Sequence, residues 1–199
     1  MGDFQQRIGP SFQTTVTFAT LADARLGLDD DTQALRDFQE SLRLCERVLG
    51  ADHSACGHSI SGIAEIHRRQ GKLELALTEY ERAMTILEKT LGATDPELVR
   101  PLLGIGRIAL ARHAPASARP PLARALAISE RQQDGGIELA YVRVALAEAL
   151  WAMGEPEQAV AQATRARVAY LALGAAAERP LTALTAWLDA HPAPSNKPQ

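Results

Sequence analysis

The residues of this chain best suited to chemistry are two cysteines and their histidine neighbours: Cys45, His53, Cys56 and His58. A zinc site needs three or four such ligands converging at about 2.0–2.3 Å. The spacing here matches no zinc pattern, and Cys45 falls at an apolar helix position, so no metal is expected. Gly104-Ile105-Gly106 lacks the preceding strand and the third spaced glycine of a dinucleotide loop. The Ser and His residues are scattered, with no motif that would join a nucleophile to a base. Neither a cofactor nor enzymatic activity is expected.

The elements that carry these residues are set by an internal repeat. SLRLCERVLGADH from Ser41, AMTILEKTLGATD from Ala83 and ALAISERQQDGG from Ala125 are offset by 42 residues each time. Upstream, Ala22, Ala64, Gly106 and, after a one-residue deletion, Ala147 align as small residues. Two further small sites hold Ala34, Ala76, Ala118 and Ala159, then Ser41, Ala83, Ala125 and Ala166. Large apolar residues fill one neighbouring site (Leu21, Ile63, Ile105, Leu146) and another (Phe38, Tyr80, Leu122, with Ala163 in the fourth unit). Small residues let two helix backbones cross closely, and large ones fill the remaining volume.

Within a unit the period is helical. Leu73, Ala76, Tyr80, Ala83, Met84, Leu87 and Leu91 recur at spacings of three and four, one apolar face of a long helix. Gly92 supplies its stop, and Thr94-Asp95-Pro96-Glu97 carries the signals of a new helix start. Gly71 and Gly154 mark tight turns inside the second and fourth hairpins. The expected class is therefore all-α: a right-handed superhelical solenoid of about four helical hairpins with a carboxyl-terminal capping helix.

This small-large pattern resembles tetratricopeptide repeats. The long period, with a second helix ending in LEKTLG before a D-P, resembles the kinesin-light-chain variety. Residues 139–191 are also similar to the carboxyl-terminal tails of myxobacterial-type serine/threonine kinases, although no kinase signature is present. The resemblance implies a protein-binding scaffold, and a regulatory or recruiting tail of a bacterial signalling protein. Kinesin-light-chain repeats place Asn at adjacent inner positions. Here those pairs read Ala19-Thr20, Ser61-Gly62, Leu103-Gly104 and Val144-Ala145, which argues against the same backbone clamp.

The expected organisation is an amino-terminal segment 1–14, part of a preceding helix or linker, followed by a repeat domain at 15–190. Its repeats lie at about 15–56, 57–98, 99–139 and 140–174, with a capping helix at 177–190 carrying Leu181, Leu184, Trp187 and Leu188 on one face. Residues 191–199 are expected to be disordered. A formal net charge of −3 argues against a nucleic-acid or membrane-surface binder. The absence of a signal-like start or a long apolar run points to the cytoplasm. The low cysteine count fits a chain without a disulfide framework.

In such hairpins the first helix lines an inner groove. The register places Val16, Ala19 and Asp23 there from the first unit, and His58, Ser61, Glu65 and Arg68 from the second. Arg100, Leu103, Arg107 and Leu110 follow from the third, then Tyr141, Val144, Glu148 and Trp151 from the fourth. Arg and aromatic residues are enriched at interface hot spots, and Arg captures carboxylates. The expected partner is a protein or peptide, apolar and acidic. The competing expectations are that these arginines pair internally, that copies of the chain assemble through the amino-terminal face, or that the groove senses a small peptide whose binding tightens the superhelix.

Overall fold

The computed structural model describes residues 2–132 and 136–192, with side chains from residue 12 onward. The expected disordered tail falls almost wholly outside them. Among the described residues there is no strand, and the helices run in hairpins. These are α1 (Gly2–Gly27) with α2 (Asp31–Val48), and α3 (Ser54–Arg69) with α4 (Leu73–Leu91). They continue with α5 (Val99–Ala111) and α6 (Pro115–Ser129), α7 (Gly136–Ala152) and α8 (Pro156–Leu173), and then α9 (Glu178–Ala190). The chain divides into two compact units, Met1–Gly104 and Ile105–Gln199, with the division inside α5. No helix among the described residues is long and apolar enough to cross a membrane.

The turns recur with the repeat. Gly71 and Gly154 take positive φ, as their sequence setting demands. At the matching places the first and third hairpins use Asp29 (φ 60°) and His113 (φ 56°), residues for which this region is uncommon. Gly92 closes α4 at φ 94°, and Asp95 caps the turn Pro96–Leu98 by accepting from the Glu97 amide at 2.9 Å. α1 begins at Gly2, so residues 2–14 continue the first helix of the first hairpin and form no separate helix or linker.

The small sites behave as crossing points. Ala22, Ala34, Ala64, Ala76, Ser41, Ala83, Ala118, Ala125, Ala159 and Ala166 are all fully buried. The closest approaches are at glycines. A Cβ on Gly62 would lie 2.3 Å from Cζ of Phe38, and one on Gly104 would lie 2.1 Å from Cζ of Tyr80. Each ring thus sits against a helix of the next hairpin where that helix lacks a side chain. In the second unit Leu122 of α6 packs instead on Gly106 of its own hairpin, with Cγ 2.5 Å from an added Cβ.

The large site at the end of α1 departs from expectation. Ile63 and Leu146 are buried, but Leu21 is 41% exposed, because no described element packs on that side of α1. In α6, Pro120 and Pro121 lie inside the helix, so the amides that would reach the Ala116 and Ser117 carbonyls are missing. α9 matches the expected cap: Leu184 is buried, and Leu181, Trp187 and Leu188 pack on a core that includes Ala147, Ala163 and Tyr170.

Cys45 and Cys56 are bonded to each other, with Cα atoms 5.6 Å apart. The pairing ties α2 to α3, where the low cysteine count had pointed to a chain without a disulfide framework. Sequence reasoning passed over it because the two positions lie on different helices of different hairpins. Only the packing brings them together.

Substitutions test these contacts through stability. Gly104→Ala or Gly62→Ala should lower stability by about 1–3 kcal/mol in a denaturant titration, because the ring has no room to retreat. Gly27→Ala, where an added Cβ meets nothing, should be neutral or slightly stabilising. Cys45→Ser should lower stability by roughly 3 kcal/mol, the loop-closure value for a short loop, and reductant should then have no further effect.

Candidate functional site

Four charged side chains from three successive hairpins meet on the inner face of the first unit. Asp23 comes from α1, His58 from α3, Glu97 from the turn before α5, and Arg100 from α5 itself. Both nitrogens of the His58 ring face carboxylates: Nε2 lies 2.8 Å from Asp23 Oδ2, and Nδ1 lies 2.8 Å from Glu97 Oε2. Arg100 Nη1 lies 2.7 Å from the other oxygen of Asp23. A ring with an acceptor at each nitrogen is satisfied only as imidazolium. Burial opposes that charge, but the hydrogen bonds to Asp23 and Glu97 outweigh it, and the His58 pKa is pushed up to about 9. Asp23 is also desolvated, which raises its pKa, yet His58 and Arg100 hold it below its ordinary value.

A second network sits further along α3. Glu65 accepts from Arg68 through both Nε (2.8 Å) and Nη2 (2.7 Å), from Arg69 Nε (3.1 Å), and from the Tyr80 hydroxyl (2.8 Å). Arg69 also reaches Asp29 and Asp31. Tyr80 therefore does two things: its ring fills the hollow at Gly104, and its hydroxyl fixes Glu65.

Beside the charged group lies a cleft of about 440 Å³. Phe12, Val16 and Ala19 of α1 form one wall, and His53, Ser54 and Ala55 at the start of α3 form another. Leu91, Asp95 and Glu97 close the far side. Phe12 and Val16 are 40% and 42% exposed, large apolar side chains left open to solvent.

In the second unit the expected inner-face aromatics are engaged. Tyr141 packs edge-on to Tyr170 (6.0 Å), and the Arg107 guanidinium lies 5.5 Å above its ring. Trp151 meets Trp187 and His191 edge-on, at 5.9 and 4.6 Å, and His191 stacks on Trp187 at 4.3 Å. Desolvation of the Glu148 carboxyl raises its pKa, with Arg107 pulling the other way.

Of the expected inner-face residues, the structure gathers Asp23, His58 and Arg100, and separately Glu65 with Arg68. Ser61 and Leu103 are buried and present little surface. The glycines beside them, Gly62 and Gly104, are filled by Phe38 and Tyr80, which gives a physical reason why no Asn stands there. Sequence reasoning missed Phe12, Ala55, Leu91, Asp95 and Glu97. The helix-start motif at Thr94–Glu97 was visible, but nothing in it revealed that Glu97 turns back to α3. Among the described residues, no group of three or more His, Cys, Asp or Glu is placed to hold a metal ion.

Two sequence profiles match, both described as tetratricopeptide repeat, one over residues 15–55 and the other over 54–131. Together they cover more than half of the chain. The chain belongs to the tetratricopeptide-repeat family. Solved structures agree on the fold. BtubC (BKLC) from P. vanneervenii is 18% identical with a TM-score of 0.64, over 81% of this chain and 65% of that one, so this chain spans about two thirds of its length. A putative kinesin light chain from Podosopora anserina with nearly identical TPR-like repeats is 17% identical with a TM-score of 0.60, covering 87% of this chain and 92% of that one. A thermophilic TPR protein of Thermus thermophilus is 22% identical with a TM-score of 0.54, covering 92% and 86%. No match to a curated protein sequence was found. At these identities the likeness is one of fold, and it includes structures with kinesin-light-chain repeats.

The pH dependence of the first unit follows from His58. A raised folded pKa contributes stability that is fully present below about pH 6.5 and is lost as pH rises through about 9. The contribution is up to about 3 kcal/mol. Unfolding free energy measured between pH 6 and 10 should therefore fall across this window (about 6.5–9). His58→Gln should remove most of that fall.

Proposed function

We propose that this tetratricopeptide-repeat protein recruits a partner protein through the inner face of its first unit, and serves as the regulatory or recruiting region of a bacterial signalling protein such as a serine/threonine kinase. Tetratricopeptide repeats are in general scaffolds for protein partners rather than enzymes. The kinase association rests on the resemblance of residues 139–191 to kinase tails. The cleft beside Asp23, His58 and Glu97 carries the choice of surface. It is concave, has apolar side chains open to solvent, and is framed by side chains that internal ion pairs hold in place. Such pre-organisation lowers the ordering penalty of binding. Arg68 and Arg100, expected to attract an acidic partner, are engaged by Glu65 and Asp23, so docking falls to the cleft.

We place the protein in the cytoplasm. There cellular thiols would hold Cys45 and Cys56 reduced, whereas an oxidising compartment would keep them bonded.

The immobilised chain should retain a partner from an extract of its own host, and a Phe12→Asp/Val16→Asp variant of unchanged helicity should lose it. A retained set that is identical for both chains would refute docking in the cleft.

A second reading has its own observation. Thr14, Thr17, Leu21 and Ala24 of α1, with Leu28 just past its end, form an exposed, uncharged stripe at alternating spacings of three and four. This is the seam of a helix-to-helix contact, and it suits self-association of two copies through α1. Light scattering at rising concentration should show a dimer that Leu21→Glu dissolves, and a monomer throughout would end this reading.

A further inference from the structure

We propose that the cleft of the first unit selects a peptide segment in which an apolar side chain stands next to a cationic one, lysine or arginine. This inference rests on the cleft being the docking site and adds the chemistry of its occupant. It reverses the acidic preference expected from the arginines of the inner face.

The apolar half of the argument is composition. Phe12, Val16 and Leu91 are all substantially exposed and line one concavity, with Ala19 and Ala55 between them. A volume of about 440 Å³ admits a leucine-sized side chain with a neighbouring residue. Burying such a side chain there supplies attraction without direction.

The direction comes from charge. Among the described residues, three carboxylates line the cleft, Asp23, Asp95 and Glu97, against the imidazolium of His58, while the other lining histidine, His53, accepts from the Ala55 amide through Nδ1. Arg100 pairs with Asp23 and is absent from the lining. The Glu97 side chain is almost half exposed and uses Oε2 toward His58, and Asp95 uses Oδ1 to cap the Glu97 amide. Each carboxylate offers about four acceptor directions, so both retain capacity for an incoming ammonium or guanidinium. An incoming carboxylate would meet this acidic rim instead. Like-charge juxtaposition is a strong means of rejecting wrong partners.

The test uses two acetylated hexapeptides that differ at one position. One carries a leucine–arginine pair and the other a leucine–glutamate pair, each flanked by glycine and serine. Both are titrated to millimolar concentration into the full chain, and binding is read from backbone amide NMR shifts. The arginine probe should perturb the amides of Ala19, Ala55 and Glu97, and should bind about fivefold more tightly than the glutamate probe at low salt. High salt should erase the difference. Asp95→Asn/Glu97→Gln, which keeps the cap and hydrogen-bonding capacity, should erase it as well. Equal binding of the two probes, or preference for the glutamate probe, overturns the charge assignment and leaves the cleft as a docking site. Absence of any shift with either probe also overturns it; if the Phe12→Asp/Val16→Asp variant then captures partners normally, the docking site itself is lost.

Discussion

The first unit depends on two side chains that are not there. At Gly62 and Gly104 a single added carbon would overlap an aromatic ring of the preceding hairpin. Helix propensity alone disfavours glycine at both positions by roughly 0.5–1 kcal/mol relative to alanine. The burial of Phe38 and Tyr80 outweighs this, since a fully buried aromatic side chain contributes on the order of 1.5–3 kcal/mol. The ring of one hairpin is thereby seated in the next, and the spacing between hairpins is fixed by steric contact. Everything on the inner face inherits its placement from that seating, including the approach of α3 to α1 that lets His58 reach Asp23.

The inner face is built on a second rule: charge at equivalent repeat positions of the first unit is neutralised by other side chains of the chain, across hairpins at Asp23 and within one hairpin at Glu65. Asp23, Glu65, Arg107 and Glu148 occupy one register position, and His58, Arg100 and Tyr141 another. Asp23 takes partners from the two hairpins that follow, His58 and Arg100, while Glu65 is satisfied within its own hairpin by Arg68, Arg69 and Tyr80. These pairs hold the surface in one geometry, and the open apolar side chains of the cleft are left to meet a partner.

Much of the fold was legible in the sequence because it rests on side-chain size at a fixed period. Ala22, Ala64 and Phe38 declare their burial through alignment with their counterparts, and Leu184 and Trp187 declare a cap through spacing. The turns at Asp29 and His113 were harder, since neither residue advertises a positive φ and only their alignment with Gly71 identifies them. The candidate site was half legible. Register predicted that Asp23, His58 and Arg100 share a face, but not that they consume one another, because pairing depends on the lateral distance between hairpins. The Cys45–Cys56 bond and the return of Glu97 to α3 were invisible for the same reason. Both are contacts between hairpins, and the periodic pattern describes only what happens within one.

α6 shows the other side of this architecture. With Pro120 and Pro121 in its middle it lacks two rungs of its own ladder, and a segment of fifteen residues with that defect would not hold a helix alone in water. It is helical because Ala118, Leu122 and Ala125 are completely enclosed. Its shape is borrowed from the surroundings, so in this segment secondary structure arrives with tertiary structure and not before it.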